Sequence, residues 1–353
     1  MRTQPQDVIA KLEADNSRLA KEKILLDAMN EGLDEFFEGL KMCLDKLYTF
    51  GVKQVPTKDE VVAGQGCPWN VFKDLAEKLY NRELTGHNAR DAINLVMSSA
   101  TAEQWNGFYR RILIKDLRCG VSEKTVNSVA KKNKFGKYMV PVFTCQLAHD
   151  SANHEKKLVG KKMLEVKLDG VRTLAIVHPD GKVDMLSRNG KEFTNFGHIQ
   201  DEISAVVKQD PPPYPLVLDG EVMSENFQDL MKQVHRKGSA DAKDAVLHLF
   251  DFIPLEEFKK GKWDKTQTLR TAMLKAWYQK HETNLNAVRV LDHEIVDLDT
   301  PEGQTTYTEV NKRAVQGGYE GIMIKDLGAP YECKRSHASV SYTHLTLPTS
   351  PKV

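Results

Sequence analysis

Met163-Leu-Glu-Val-Lys-Leu-Asp-Gly-Val-Arg172 is the stretch on which the reading of this chain turns. Asp169 and Gly170 are the residues of a tight turn, and they present Lys167 at its start. Thr173-Leu-Ala-Ile-Val177 follows, then Pro179-Asp-Gly181 and Val183-Asp-Met-Leu186. Short apolar runs separated by turn residues are the pattern of a β-hairpin. The turn therefore lies inside a region built of strands.

That region begins near Tyr138-Met-Val-Pro-Val-Phe143. Residues 211–215, Pro-Pro-Pro-Tyr-Pro, read as a stiff surface connection before the strand Leu216-Val-Leu218, and His248-Leu-Phe-Asp-Phe252 reads as another strand. Helices are expected over 225–237, 266–281 and 302–317. Upstream, Val8, Leu12, Leu19, Leu26, Met29, Leu33, Phe36, Phe37, Leu40, Leu44 and Leu47 recur near helical spacing. Thr101-Ala-Glu-Gln104 has the form of a capping box, and Ser122 that of an N-cap. Residues 1–138 are thus expected to be all-α.

The 353 residues carry a net charge of +1, so a nucleic-acid signal has to be local. One local candidate closes the helical region: Arg110, Arg111, Lys115, Arg118, Lys124, Lys131, Lys132, Lys134 and Lys137. A charge run alone is more simply a solvated helix face. Here acidic residues thin out after Glu123, and Trp105, Phe108 and Tyr109 lie close by, which favours a nucleic-acid surface. Five scattered cysteines without a C-x-x-C pair fit a reducing compartment and exclude zinc-ribbon and redox motifs. There is no apolar leader and no run of membrane-spanning length, so a cytoplasmic protein without a membrane partner is expected.

A lysine on a Lys-x-Asp-Gly turn can attack the α-phosphate of a nucleotide and hold AMP or GMP as a phosphoramide. It needs burial, a neighbouring cation or a metal to release its proton. Taken singly, the segment is more simply a surface turn. Further elements follow in order: Ser187-Arg188-Asn189-Gly190 with a guanidinium, Leu218-Asp-Gly-Glu221 with a carboxylate, Leu249-Phe250-Asp-Phe252 with an aromatic face for a purine, and Tyr319-Glu320-Gly-Ile-Met-Ile-Lys325. Each has a plain structural reading. Their joint order makes coincidence a poor explanation.

These segments resemble the nucleotidyltransferase motifs of ATP-dependent DNA ligases, most closely those of tailed phages. The resemblance covers roughly residues 140–338. It extends more loosely to Leu84-Thr-Gly86 and Lys115-Asp-Leu-Arg-Cys-Gly120 in the helical region. It implies a multidomain α and α+β protein: an all-α DNA-binding domain (1–138), then an ATP-grasp-like adenylation domain with antiparallel sheets (139–338). Lys167 would carry AMP. Glu165 would accept from the adenine amino group, Phe250 would stack on the base, and Arg172 and Arg188 would contact nucleotide or 5′-phosphate. Glu221 would bind ribose and help position metal, Glu320 would bind Mg²⁺, and Lys325 would join the nucleotide site. Arg110, Arg111, Lys115, Arg118, Lys131, Lys132 and Lys134 would contact DNA. ATP and Mg²⁺ are the implied cofactors, and nicked duplex DNA the partner of a monomer.

The pattern breaks after Tyr331-Glu-Cys-Lys-Arg-Ser-His337-Ala338. The family continues with a K-x-K strand and an OB-fold domain, whereas Val340-Ser-Tyr-Thr-His-Leu-Thr-Leu-Pro-Thr349 resembles a translated sequencing adaptor. Residues 339–353 are therefore expected to be a non-native tail and the ligase chemistry to be impaired. An RNA ligase, a capping-type nucleotidyltransferase and a catalytically dead nucleic-acid-binding fragment stay open as alternatives.

Overall fold

The computed structural model describes residues 2–150, 156, 158–225 and 242–343. Nearly all of the helix expected over 225–237 and residues 344–353 of the expected tail lie outside this set. The chain divides into two compact units, Met1–Phe143 and Thr144–Val353. The division falls a little beyond the expected 138, because Val140 still belongs to the helical core and exchanges two hydrogen bonds with the Asn127 side chain.

In the first unit, helices Pro5–Ala14, Arg18–Asn30, Asp34–Leu44, Trp69–Tyr80, Gly86–Ser99 and Glu123–Lys132 enclose an aromatic core. Phe36, Phe72, Trp105 and Phe108 are fully buried. Phe72 stacks on Tyr109 with centroids 4.3 Å apart. The capping box forms as expected: Thr101 Oγ1 accepts from Gln104 N at 3.1 Å, and Gln104 Oε1 accepts from Thr101 N at 3.2 Å. Ser122 caps the helix Glu123–Lys132. Leu19 breaks the expected apolar stripe and is 77% exposed. The first helix stops at Ala14 and Ser17 caps the next, so the helical phase restarts between them.

In the second unit the strands are β1 (Leu147–Asp150), β2 (Lys161–Lys167), β3 (Val171–Val177), β4 (Val183–Ser187), β5 (Leu216–Met223) and β6 (Val246–Pro254). They continue with β7 (Lys262–Trp263), β8 (Val288–Val290), β9 (Glu294–Asp297), β10 (Gly321–Asp326), β11 (Tyr331–Glu332) and β12 (Arg335–Thr343). One five-stranded sheet runs β1-β12-β10-β2-β9, another runs β4-β3-β5-β6-β8, and β7 pairs with β11. The hairpin read from Pro179-Asp-Gly181 joins β3 to β4, with Val177 opposite Val183. The expected antiparallel sheets are antiparallel except for one edge pair in each. The pairs β1/β12 and β6/β8 are parallel. Parallel neighbours need a long crossover, and helices Leu255–Lys260 and Gln267–His281 supply it between β6 and β8. The expected tail residues 339–343 pair with β10, Ser339 opposite Lys325 and Thr343 opposite Gly321.

Strand alternation decides what faces where. Leu164 of β2 and Ile322 and Ile324 of β10 pack with Val310 and Ala314 of the helix Pro301–Gln316. Their alternates Glu165, Lys167, Met323 and Lys325 therefore lie on the sheet's other face. In the second sheet, Leu218, Val222, Leu247 and Leu249 pack against Ile199, Ile203 and Leu274 of the helices Gly197–Gln209 and Gln267–His281. No helix among the described residues is long and apolar enough to cross a membrane.

Candidate active site

The turn Leu168–Gly170 carries the chain from β2 of one sheet to β3 of the other. It is pinned at both ends. Glu320 N donates to Lys167 O at 3.2 Å, and Gly170 N donates to Glu221 Oε1 at 3.2 Å. Gly170 is required for space: a Cβ there would come within 2.4 Å of Val222 O. Gly220 is required in the same way, with His248 O 2.4 Å from the place of its Cβ. The glycines of Lys-x-Asp-Gly and Leu-Asp-Gly-Glu thus let strands approach closely beside Lys167.

A cavity of about 340 Å³ opens beside this turn. Its walls include Glu165, Lys167, Arg172, Arg188, Glu221, Phe250, Glu320 and Lys325, every nucleotide- and metal-site residue expected from the sequence. Lys167 Nζ stands 2.6 Å from Glu320 Oε1, with its side chain 24% exposed. Glu165 faces Met323 across the β2/β10 ladder, which puts Lys325 on its diagonal. Lys325 Nζ donates to Glu165 Oε2 at 2.7 Å, and both are buried. Burial pushes the Glu165 carboxyl above its ordinary range, and Lys325 opposes that rise. Lys325 Nζ lies 4.9 Å and Arg172 Cζ 5.0 Å from the Phe250 ring centroid.

Arg172 is a fork on Asp219: Nε donates to Oδ1 and Nη2 to Oδ2, both at 2.7 Å. Burial works against the Arg172 charge, but Asp219 outweighs it and holds the guanidinium's pKa well above its ordinary value. Arg172 is opposite Glu221 in the β3/β5 ladder. Burial lifts the Glu221 carboxyl to about 7, although Arg172 and the Gly170 N–H pull it down. Arg188 sits in the turn that follows β4, closed by Gly190 N donating to Ser187 O at 2.9 Å.

The sequence reading missed Asp219, Asp251, Gln146 and Tyr331, which also line the cavity. Asp219 was visible as the second carboxylate of Leu-Asp-Gly-Glu, two residues from Glu221. Nothing local marks Gln146 or Tyr331, whose place depends on contacts across more than a hundred residues.

The residues read as DNA contacts divide into two groups. Lys115 Nζ donates to the carbonyls of Met42, Asp45 and Tyr48, which accounts for the three donors of an ammonium. Arg110 Nε donates to Val55 O, and Arg111 to Asn106 O, Leu117 O and Glu13. These three serve the helical fold. Arg118, Lys131, Lys132 and Lys134 are exposed. Lys115, Arg118 and Lys134 have positive φ (59°, 54° and 62°), which marks tight turns on either side of the helix Glu123–Lys132.

Residues 144–340 match the model of the ATP dependent DNA ligase domain. The DNA ligase of Enterobacteria phage T4 is 21% identical over 301 residues, covering 73% of this chain and 58% of that protein. A protein of Rhodococcus opacus (strain B4) named "Probable DNA ligase" is 28% identical over 200 residues, 53% of this chain and 35% of that one. The chain thus spans between about a third and three-fifths of these relatives' lengths. The solved structure Pmar-Lig_PreS3 is 59% identical, with a TM-score of 0.60, over 97% of this chain and 78% of its own. With more than half of its length inside the family model, the chain belongs to the ATP-dependent DNA ligase domain family.

Proposed function

We propose that this chain is an ATP-dependent DNA ligase that seals nicks in duplex DNA through a lysyl-AMP intermediate on Lys167. The observation that carries this reading is one cavity in which Lys167, paired to Glu320, shares the walls with Glu165, Arg172, Glu221 and Phe250. In the first step Lys167 Nζ, its proton shed, bonds to the α-phosphorus of ATP. The bond to the bridging oxygen breaks and pyrophosphate leaves. The AMP then passes to the 5′-phosphate of a nick, and the 3′-hydroxyl displaces it as the strand closes.

The chain's own groups are suited to positioning and charge control. Phe250 offers a ring for the purine, and Glu165 and Lys325 offer an acceptor and a donor for its edge. Arg172 and Arg188 are placed for phosphate or ribose oxygens. Glu320 Oε1 holds the Lys167 ammonium until the nucleotide arrives. Glu221 and Glu320 are hard oxygen donors suited to Mg²⁺, which would complete its shell with water and phosphate oxygens. The fit is supported by Glu221, a half-buried carboxyl lifted to about 7 that a neighbouring cation would return to its ionised form. Bound there, Mg²⁺ would neutralise charge on the phosphates. Arg118, Lys131, Lys132 and Lys134 are the exposed cations left for DNA phosphates, and the chain would act as a monomer.

Incubation with ATP and Mg²⁺ followed by intact-mass measurement tests the reading. An AMP adduct that Lys167→Ala abolishes is expected. No adduct at any pH, with DNA binding retained, would leave a nucleic-acid-binding fragment instead. Preference for RNA ends over nicked DNA would point to an RNA ligase or a capping-type enzyme.

A further inference from the structure

Tyr331 belongs to neither of the large sheets, yet it reaches the cavity from the short β7/β11 pair. It is 1% exposed. Its hydroxyl donates to Asp219 Oδ2 at 2.7 Å and accepts from Gln146 N at 3.3 Å. Arg172 Nη2 donates to the same Asp219 oxygen at 2.7 Å and to Gln146 O at 2.9 Å. These four bonds form a closed loop of arginine, carboxylate, phenol and the backbone of a single residue, Gln146. The phenol oxygen is a single atom that both donates and accepts, so it sets the distance between Asp219 and the Gln146 backbone. Arg172 Nη2 spans that same distance.

The phenol is itself braced. Arg270, fully buried on Asp251, has its Cζ 5.7 Å from the Tyr331 ring centroid, and Phe258 packs at 6.1 Å. The neighbouring Glu332 N donates to Gln146 Oε1 at 3.0 Å, which ties the same two segments together again. The loop and the fork on Asp219 use Nε and Nη2 of Arg172, so Nη1 is the nitrogen that remains for a ligand in the cavity.

Resting on the ligase reading above, we propose that Tyr331 is a positioning residue for adenylate transfer: its hydroxyl fixes the Arg172 guanidinium against the bound nucleotide. A phenylalanine would fill the same space and keep the ring contacts. It would leave the half-buried Gln146 N–H and one side of the buried Asp219 Oδ2 without their bond, and that cost favours rearrangement of the fork. Small displacement of an orienting cation lowers the rate of a reaction more than it lowers affinity.

The test compares Tyr331→Phe with the unsubstituted full chain by two readouts. The first needs no activity: the rate at which phenylglyoxal modifies Arg172, mapped by peptide mass, should rise roughly threefold or more, while Arg335 is unchanged. The second is lysyl-AMP formation. Its rate at saturating ATP should fall about tenfold, with half-saturating ATP changed by less than about threefold. In an Arg172→Lys background, Tyr331→Phe should cost less than about twofold, because it acts through the missing guanidinium. Unchanged Arg172 reactivity overturns the proposal, and so do factors that multiply in the double variant. Should Tyr331→Phe fail to fold, judged by thermal unfolding, Asp219→Asn takes its place with the same readouts. Absence of an adduct in the unsubstituted chain would count against the ligase reading, and Arg172 reactivity would still decide whether Tyr331 holds the fork.

Discussion

In the helical unit, buried lysines end on backbone carbonyls. In the sheet unit, buried cations end on carboxylates. Lys58 donates to Met97 O, Ser98 O and Ala100 O at the close of the helix Gly86–Ser99, and Lys115 does the same after Asp34–Leu44. The last turn of a helix leaves carbonyls without partners and carries the negative end of its dipole, so it can take an ammonium without a counter-charge. Strand carbonyls are already used by the ladder. Cations on β2, β3 and β10 therefore meet carboxylates from neighbouring strands, as in Arg172–Asp219 and Lys325–Glu165. The two solutions differ in use. A carbonyl cage only holds a fold, whereas a carboxylate pair can exchange partners when a phosphate or a metal arrives. The basic run of residues 110–134 contains both kinds of cation, caged ones and exposed ones, which charge counting cannot separate.

Four measurements bear on this contrast. The largest effect is expected from Asp251→Ala, which strands Arg270 in the sheet unit without its carboxylate. Urea unfolding should show a loss of about 3–5 kcal/mol, and a loss under about 1 kcal/mol would mean the pair is not what holds Arg270. Lys58→Met should come next, at about 1–3 kcal/mol, since three carbonyls lose an ammonium but no charge is left unpaired. A neutral result there would break the claim that carbonyl cages stabilise the helices. Glu221 gives a pH signature. Its carboxyl rises from 4.5 to about 7 through burial, so the folded chain binds that proton more tightly than the unfolded chain. The stabilisation is complete below the unfolded value and is lost as pH rises through about 7. Glu221→Gln should therefore gain stability relative to the unsubstituted chain between about pH 5 and pH 8, by on the order of 1 kcal/mol. An identical difference at both pH values would contradict the burial of Glu221. Smallest in stability are Lys131→Ala and Lys132→Ala, within about 0.5 kcal/mol of zero. Each should lower the salt dependence of duplex binding by about one unit of slope if it contacts phosphate. Lys115→Ala should do the reverse, destabilising the fold with little change in slope.

The strand-borne motifs were legible because each places its chemistry at a strand end or on one face. Lys167, Glu320 and Glu221 could be named from local sequence, and their convergence inferred from their order. The hairpin through Gly181 and the Thr101–Gln104 cap were also local, since a turn and a cap depend on a few adjacent residues. What escaped depends on register between distant segments. The parallel pairing of β1 with β12 joins residues nearly two hundred positions apart, and alternation alone carries no sign of strand direction. Tyr331 reads as an ordinary strand aromatic until Asp219, 112 residues away, is seen to accept its hydrogen bond. Leu19 misled because a periodic stripe says nothing of a helix that stops and restarts out of phase.

The three-residue seam between β2 and β3 has a consequence for how such a chain can vary. The seam closes the gap between two sheets directly after Lys167, the residue that carries the amine, and Gly170 has no room for even a methyl group. Lengthening the seam by one residue would slide Lys167 against Glu320 and shift β3 against β5 together. Drift in this region should therefore be confined to substitution at Leu168, with insertions and deletions diverted to the loops outside the sheets.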